Sequence, residues 1–443
     1  MIDLVLTVVV AALGCALLLA VVVIWSIKRH RDPHLRIESD APLAELLPSL
    51  SGLTHGAALK GNAVEILENG AFFEVMFEEI GRATRSVHFE TFLWKDGMLG
   101  RRLVDALTER SRAGVTVRVL VDATGGREMG EAAVRRLEDA GCKFDTYHPK
   151  RLRNIGVLNE RDHRKIIVLD GRTALVGGHC FVDSWLGDAQ DGEHVRDLSV
   201  RLRGPIVHAI QSAFSENWVE ETGELFVGED FFPELHDEGD VAIHVARVKP
   251  EGSAPAVKIL HHLAICCARE RIRIQNPYFL PEPAAIEALG RAVARGVDVR
   301  VMVPSAEASD MPIVQHAAHR NFERLLALGV RIFEYQKTLL HQKVMSIDGV
   351  WCAIGSSNFD DRSFEINDEI TLGMMDAPLA REFEAIFERD SKECVELELA
   401  TWRTRGRWHR LKDSMRYLFN EMMGAHSRCA AGRPAGSRRD ALG

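Results

Sequence analysis

Two short segments of the 443-residue chain repeat one spacing of histidine, lysine and aspartate. The first reads His163-Arg164-Lys165-Ile166-Ile167-Val168-Leu169-Asp170 and is followed, after six residues, by Gly177-Gly178-His179-Cys180. The second reads His341-Gln342-Lys343-Val344-Met345-Ser346-Ile347-Asp348 and is followed, after six residues, by Gly355-Ser356-Ser357-Asn358. In an extended strand residues i and i+2 share a face, so each His and Lys project together into one site. A protonated lysine cannot ligate a divalent ion, so the pair points to an anion such as phosphate rather than to zinc. Two imidazoles facing one phosphate supply what phosphodiester exchange requires: a neutral ring to attack phosphorus and a protonated ring to give the leaving oxygen its proton. Lys165 and Lys343 would stabilise the crowded charge. The glycine-containing turns at Gly178 and Ser356 let backbone approach the anion, and Asn358 adds an amide donor. One such motif is a weak signal; two at matching places in a repeat are a strong one.

The segments need a scaffold, and the chain reads as one written twice. A β-rich run, an amphipathic helix, a Gly-Val-x-Val-Arg strand start, a further helix ending at glycine and a His-x-Lys segment occur in that order in both halves. In the first half Ser86–Phe92 is a predicted strand, Gly100–Ala113 a helix, and Gly114–Val121 a buried strand ending at Asp122. In the second, Arg271–Gln275, Pro283–Arg295 and Gly296–Val303 are their counterparts. Alternating strands and helices predict an α/β architecture of two similar α/β/α sandwich halves, spanning 45–220 and 241–400, with the site at their interface. The acidic, aperiodic stretch 221–240 is the expected linker, and the glycine-rich residues 424–443 read as a disordered tail.

Composition narrows the function. The hydrophobic share of 46% and charged share of 27% fit a packed body rather than a multi-span membrane protein or a disordered chain. A net charge of −9 gives no overall basic field, so nucleic acid is not an expected partner. Eight scattered cysteines without a CxxC pair suit reduced thiols. The clusters His261-His262 and His316/His319 lack a third ligand, so neither metal nor cofactor is expected. Residues 4–26 carry no charge from Leu4 to Ser26, long enough as a helix for about 34 Å. Lys28, Arg29 and Arg31 follow, which predicts a single-pass inner-membrane anchor with the catalytic body in the cytoplasm. Residues 401–423 mix Trp402, Trp408, Leu411 and Phe419 with arginines, the pattern of either a basic amphipathic helix resting on lipid or a terminal helix packed on the core. The loop His148–Arg153 adds positive charge before the first motif.

With these residues in view, the two segments resemble the paired signature of the phospholipase D superfamily, and residues 45–420 resemble bacterial cardiolipin synthases. Gln275-Asn276-Pro277-Tyr278-Phe279-Leu280-Pro281 and Gly355–Phe364, continuing through Asn367 and Glu369, carry the closest match. The resemblance implies a phosphatidyltransferase that joins two phosphatidylglycerols through a phosphohistidine and releases glycerol. It implies His163 as nucleophile and His341 as general acid, then base, with Asp197 orienting His163 and Glu369 orienting His341. Asp170 and Asp348 belong to the catalytic motif, although their place at the turn after each strand suits a structural bond better than proton transfer. Cys180 stands where the family has asparagine. The motifs leave the acceptor open: water would make a phospholipase D-type hydrolase or a nuclease, and a relic site would leave a membrane scaffold. Oligomeric state is not legible.

Overall fold

A computed structural model describes residues 43–149, 160–249 and 255–404, together with 7, 10–19 and 35. Fifteen strands form its framework. In the first half these are β1 (Ala58–Glu68), β2 (Ser86–Thr91), β3 (Thr116–Asp122), β4 (Lys143–Tyr147), β5 (Lys165–Leu169), β6 (Thr173–Gly177) and β7 (Leu198–Arg203). In the second they are β8 (Val241–Val248), β9 (Arg271–Gln275), β10 (Asp298–Pro304), β11 (Arg331–Tyr335), β12 (Val344–Ile347), β13 (Trp351–Gly355), β14 (Glu369–Met375) and β15 (Cys394–Glu396).

The strand order is β15-β11-β10-β9-β12-β13-β14-β8-β1-β7-β6-β5-β2-β3-β4. Read outward from the central β8–β1 pair, the two halves are the same seven-strand sequence, with β15 added at one edge. The centre is antiparallel, and β1 changes partner along its length: Ala58 to Asn62 face β8 and Ala63 to Glu68 face β7, with a register shift between Leu59 and Asn62. Gly61 supplies the positive φ of 84° at that shift, which a residue with a Cβ adopts poorly.

The predicted helices lie at Met98–Arg112 and Pro283–Ala294, each ending near a glycine, Gly114 or Gly296, with φ of 91°. Their counterpart strands begin two residues later than the sequence pattern suggests, at Thr116 and Asp298, because the glycine closes the preceding turn. β5 and β12 are buried at every residue, as expected for their Ile/Val/Leu-rich runs. Helices Val207–Thr222 and Ala377–Asp390 join strands of both halves in one apolar cluster that includes Ile166, Val200, Phe214, Ile354, Ile370 and Phe383. The seam between the halves is thus core, and burying it stabilises both by roughly 25 cal/mol per Å² of apolar surface.

Residues 223–240 contain no helix or strand and are mostly exposed, held at points by Pro233 against Gly171 and Glu224 bonded to Arg118. Trp402, which the sequence allows at a lipid surface or on the core, is buried against Phe322 and His319. The rest of the predicted 401–423 helix, the 424–443 tail and most of the basic 148–153 loop lie outside the described residues. So does much of the predicted 4–26 span, of which residues 10–19 are helical with Leu13, Leu17, Leu18 and Leu19 exposed. Among the described residues no helix is long and apolar enough to cross a membrane.

Candidate active site

The two motif histidines stand just ahead of β5 and β12, on segments that cross to the opposite half. Asp162 forms an isolated parallel bridge with Asp368, and Leu340 forms one with Arg196. The His163 N–H donates to the Asp368 carbonyl at 3.0 Å, and the His341 N–H donates to the Arg196 carbonyl at 2.8 Å. Each histidine backbone is therefore fastened one residue before a carboxylate of the other half. The side chains follow: His163 Nδ1 lies 2.9 Å from Glu369 Oε1, and His341 Nδ1 lies 2.7 Å from Asp197 Oδ2. This reverses the expected partners. Asp197 pairs with His341 and Glu369 with His163, because the residue just before β7 and the first residue of β14 face the seam rather than their own half's motif.

Both carboxylates are completely buried. Burial alone would raise them, but the facing imidazoles, a lysine charge and hydrogen bonds outweigh it: His341, His179 and Lys343 for Asp197, and His163, Lys165 and Ser356 for Glu369, holding both below the ordinary range. Burial takes the imidazoles the other way, His163 to about 4 and His341 to about 3, with the lysine charges adding to the effect. Each ring is thus neutral near pH 7, with Nδ1–H donated to its carboxylate and Nε2 left as the basic atom. His163 senses the charge of Lys343 and His341 senses that of Lys165, so the four groups share one site.

The lysines differ. Lys165 Nζ donates to the His163 carbonyl at 2.7 Å. Lys343 Nζ donates to the His341 carbonyl at 2.6 Å and also sits 3.0 Å from His341 Nε2. Burial brings Lys343 down to about 8.

The supports differ as well. Trp185 donates its indole N–H to Asp197 Oδ2 at 3.0 Å, its ring lies edge-on to His341 at 5.3 Å, and the Leu198 N–H donates to Asp197 Oδ1 at 2.8 Å. A Cβ at Gly178 would overlap the Asp197 carboxylate, so glycine there is a condition of the dyad. In the second half Ser356 occupies that position and donates its hydroxyl to Glu369 Oε2. Asn358 is buried with Oδ1 lacking a partner among the described residues. Its counterpart Cys180 is buried with Sγ 3.7 Å from the Gly178 carbonyl, and burial pushes its thiol up to about 11, so it is no thiolate. His179 cannot replace the missing amide, since Nδ1 meets Ser199 Oγ at 2.7 Å and Nε2 meets the Asn69 carbonyl at 2.8 Å.

Known proteins share this construction. The family model for the phospholipase D-like domain of cardiolipin synthases matches residues 76–218 and 263–391. A cardiolipin synthase of Geobacillus sp. is 33% identical over 81% of this chain and 72% of its own length. The major cardiolipin synthase ClsA of Bacillus subtilis is 30% identical over 83% and 77%. The chain belongs to the cardiolipin synthase family of phospholipase D-like proteins. As such it is a cardiolipin synthase-like phosphatidyltransferase. The fold extends further: the crystal structure of phosphatidylserine synthase from Haemophilus influenzae superposes with a TM-score of 0.62, covering 86% of this chain and 98% of that one, at 14% identity.

Two residues of the family motif do not join the site in this synthase-like chain. Asp170 and Asp348 lie at the far ends of β5 and β12, in Asp-Gly hairpin turns with φ of 53° and 64° in the first and 54° and 62° in the second. The Asp170 carboxylate accepts the backbone N–H groups of Thr84, Arg85 and Ser86, and Asp348 those of Arg269, Glu270 and Arg271. They tie each hairpin to the start of β2 or β9, a structural duty that removes them from the catalytic set. The Asp-Gly dipeptide was the signal for it. Trp185 and Phe92, whose ring lies 5.1 Å from that of His163, carried no local signal, since only the folded seam brings them to the histidines.

Proposed function

We propose that this enzyme makes cardiolipin from two phosphatidylglycerols, with His163 as nucleophile and His341 as proton carrier. The observation that carries the reading is the crosswise pair of buried His–carboxylate dyads, each with a lysine bonded to the carbonyl of its histidine. His163 Nε2 attacks phosphorus of the first lipid; the bond from phosphorus to the glycerol headgroup oxygen breaks, and that oxygen leaves with a proton from His341. The headgroup hydroxyl of the second lipid then attacks the phosphohistidine. The P–N bond breaks, the hydroxyl proton returns to His341, and a diphosphatidyl product remains.

The lysine asymmetry supports this order. Lys343 Nζ stands 3.0 Å from the His341 Nε2 lone pair, whereas Lys165 bonds the His163 carbonyl rather than its ring. An incoming phosphate draws the Lys343 ammonium onto its oxygens, and its negative charge favours the imidazolium that His341 must become. Asn358 and the backbone at Gly178 and Ser356 complete the anion site.

Residues 4–26 anchor the chain in the inner membrane with halves 45–220 and 241–400 on the cytoplasmic side, which raises the local concentration of lipid at the site. The charge-free run and the following Lys28, Arg29 and Arg31 support this placement. Lipid extracts from a host lacking other such enzymes test the activity: a diphosphatidyl lipid should appear on expression and vanish with His163→Ala. Its absence with the wild-type chain would refute the reading.

A further inference from the structure

Tyr278 and Asp310 are two half-buried polar side chains that the transfer chemistry leaves without a role. They follow the carboxyl ends of β9 and β10, the sheet edge that holds Lys343, because Gln275 pairs with both Val344 and Met302. The Tyr278 hydroxyl donates to Asp310 Oδ1 at 2.6 Å. Backbone bonds fix both residues against the site. The Asn276 side-chain oxygen accepts the N–H groups of Tyr278 at 3.2 Å and of Phe359 at 3.1 Å, which clamps Tyr278 to the residue after Asn358. Asn276 in turn lines one narrow cavity with Lys343 and Ser357. Asp310 belongs to the turn after β10, which is held by the Ala308 N–H on Ser305 Oγ at 3.3 Å and the Met311 N–H on Ser309 Oγ at 3.2 Å.

Charge agrees with this placement. Burial holds the Asp310 carboxyl above the ordinary range, the Tyr278 bond and the Lys343 charge pull it the other way, and its own charge reaches the Cys180 thiol across the seam. A carboxyl group carries two oxygens that accept hydrogen bonds on several sides, and the hydroxyls of a neutral polyol suit them. An amino headgroup suits them less, since the Lys343 ammonium acts on the same spot and opposes a second cation.

The first half does not repeat this pair. The matching bridges Phe279–Phe359 and Trp94–Phe181 make Leu93 the counterpart of Tyr278 and Phe92 that of Pro277. Leu93 is buried, and the Phe92 ring lies 5.1 Å from that of His163. The acid in the loop after β3, Glu128, is exposed and paired with Lys95 at 3.0 Å. Apolar groups therefore flank the site on the side of His163, and hydrogen-bonding groups flank it on the side of His341.

We propose that Tyr278 and Asp310 form the headgroup subsite, in which the Asp310 carboxyl accepts the free hydroxyls of a glycerol headgroup and Tyr278 holds that carboxyl in place. The inference rests on the cardiolipin-forming reading and names the part of the site that selects its alcohol. Attack by His163 in line with the breaking bond sends the leaving oxygen to the side of His341, so the rest of the headgroup extends over the loops of the second half. After free glycerol has left, the headgroup of the second lipid enters the same subsite. Its terminal hydroxyl attacks phosphorus, the P–N bond breaks, and the hydroxyl proton passes to His341. One subsite serves both steps because the leaving group and the acceptor are the same chemical unit.

The test gives the purified full-length enzyme phosphatidylglycerol micelles with equal concentrations of labelled glycerol, 1-propanol and ethanolamine, and reads the phosphatidyl products of one reaction. The wild type should favour glycerol over both competitors, because a site built to hydrogen-bond a hydroxyl rejects an analogue that lacks it. Asp310→Asn should lower the glycerol-to-propanol product ratio about tenfold or more, and Tyr278→Phe, which keeps the ring, about threefold. A ratio between alcohols competing in one tube does not depend on how much of the enzyme is folded. A ratio within about twofold of wild type in Asp310→Asn overturns the proposal, and Tyr278→Phe decides in the same way if Asp310→Asn gives no product. A wild-type preference for ethanolamine overturns it as well. Diphosphatidyl lipid formed without these shifts refutes the subsite alone, whereas phosphatidic acid as the sole wild-type product refutes the cardiolipin reading together with it.

Discussion

The first half holds Asp197 with an indole N–H and leaves room for it with a glycine, while the second holds Glu369 with a serine hydroxyl at the position of that glycine. The strand orders around them are the same. What has been kept through the repeat is the backbone exchange at the seam; what has diverged is the set of side chains that fix each carboxylate. The shorter aspartate needs a neighbour without a Cβ and a long donor, and the longer glutamate reaches its histidine with a short donor beside it. The scaffold sets where the dyads stand, and these local supports set how firmly each is held.

Exchanging the carboxylates for amides breaks the comparison most sharply. Glu369→Gln and Asp197→Asn should each lower turnover by about 10³-fold or more, because an amide can hold the wrong imidazole tautomer. Crosswise pairing makes the two losses distinguishable. In a quench experiment with labelled lipid, Glu369→Gln should abolish trapped phosphohistidine at His163, whereas Asp197→Asn should slow its discharge to the acceptor. The opposite assignment would restore pairing within each half.

Gly178→Ala should cost about 10²-fold in kcat, since the new methyl group displaces Asp197 from His341. Ser356→Gly, at the matching place, removes only a hydroxyl and should cost less; equal losses would show that the two supports are interchangeable.

The pH profile probes the lysines. Below about pH 4 the His163 lone pair takes a proton and attack fails, and above about pH 8 Lys343 loses its charge, so kcat/KM should fall at both ends. Lys343→Arg keeps its charge at all these pH values and should remove the alkaline limb, while Lys165→Arg should leave it in place. Smaller still, Trp185→Phe withdraws one donor from a carboxylate that keeps the Leu198 N–H, a loss of about 1–3 kcal/mol that lowers activity roughly tenfold. Cys180→Ala, which removes a neutral buried thiol, should change kcat less than about threefold.

Much of this was legible before folding. The repeat, the two α/β halves and the residues His163, Lys165, His341 and Lys343 follow from local patterns: strand periodicity, helix faces and a two-residue offset. The partners of the histidines do not, because they are set by which strand starts at the seam, and His163 and Glu369 lie about 200 residues apart in sequence. Asp170 and Asp348 were legible as turn residues from their place after each strand, as the hairpin bonds bear out, although their spacing sets them in the catalytic motif. Their spacing recurs because the hairpin geometry recurs, and spacing alone does not tell a sheet requirement from a chemical one. Trp402 shows the same limit in another form: an aromatic among arginines fits a lipid surface and a protein core equally until the neighbouring helix is in place.

The backbone exchange that brings His163 to Glu369 and His341 to Asp197 makes the two halves answerable to each other. A slip of one against the other loosens both imidazoles together, so the chemistry switches off as a unit instead of stalling with a reactive phosphoryl group and no proton carrier. Activity in this molecule is a gauge of whether its midline is closed.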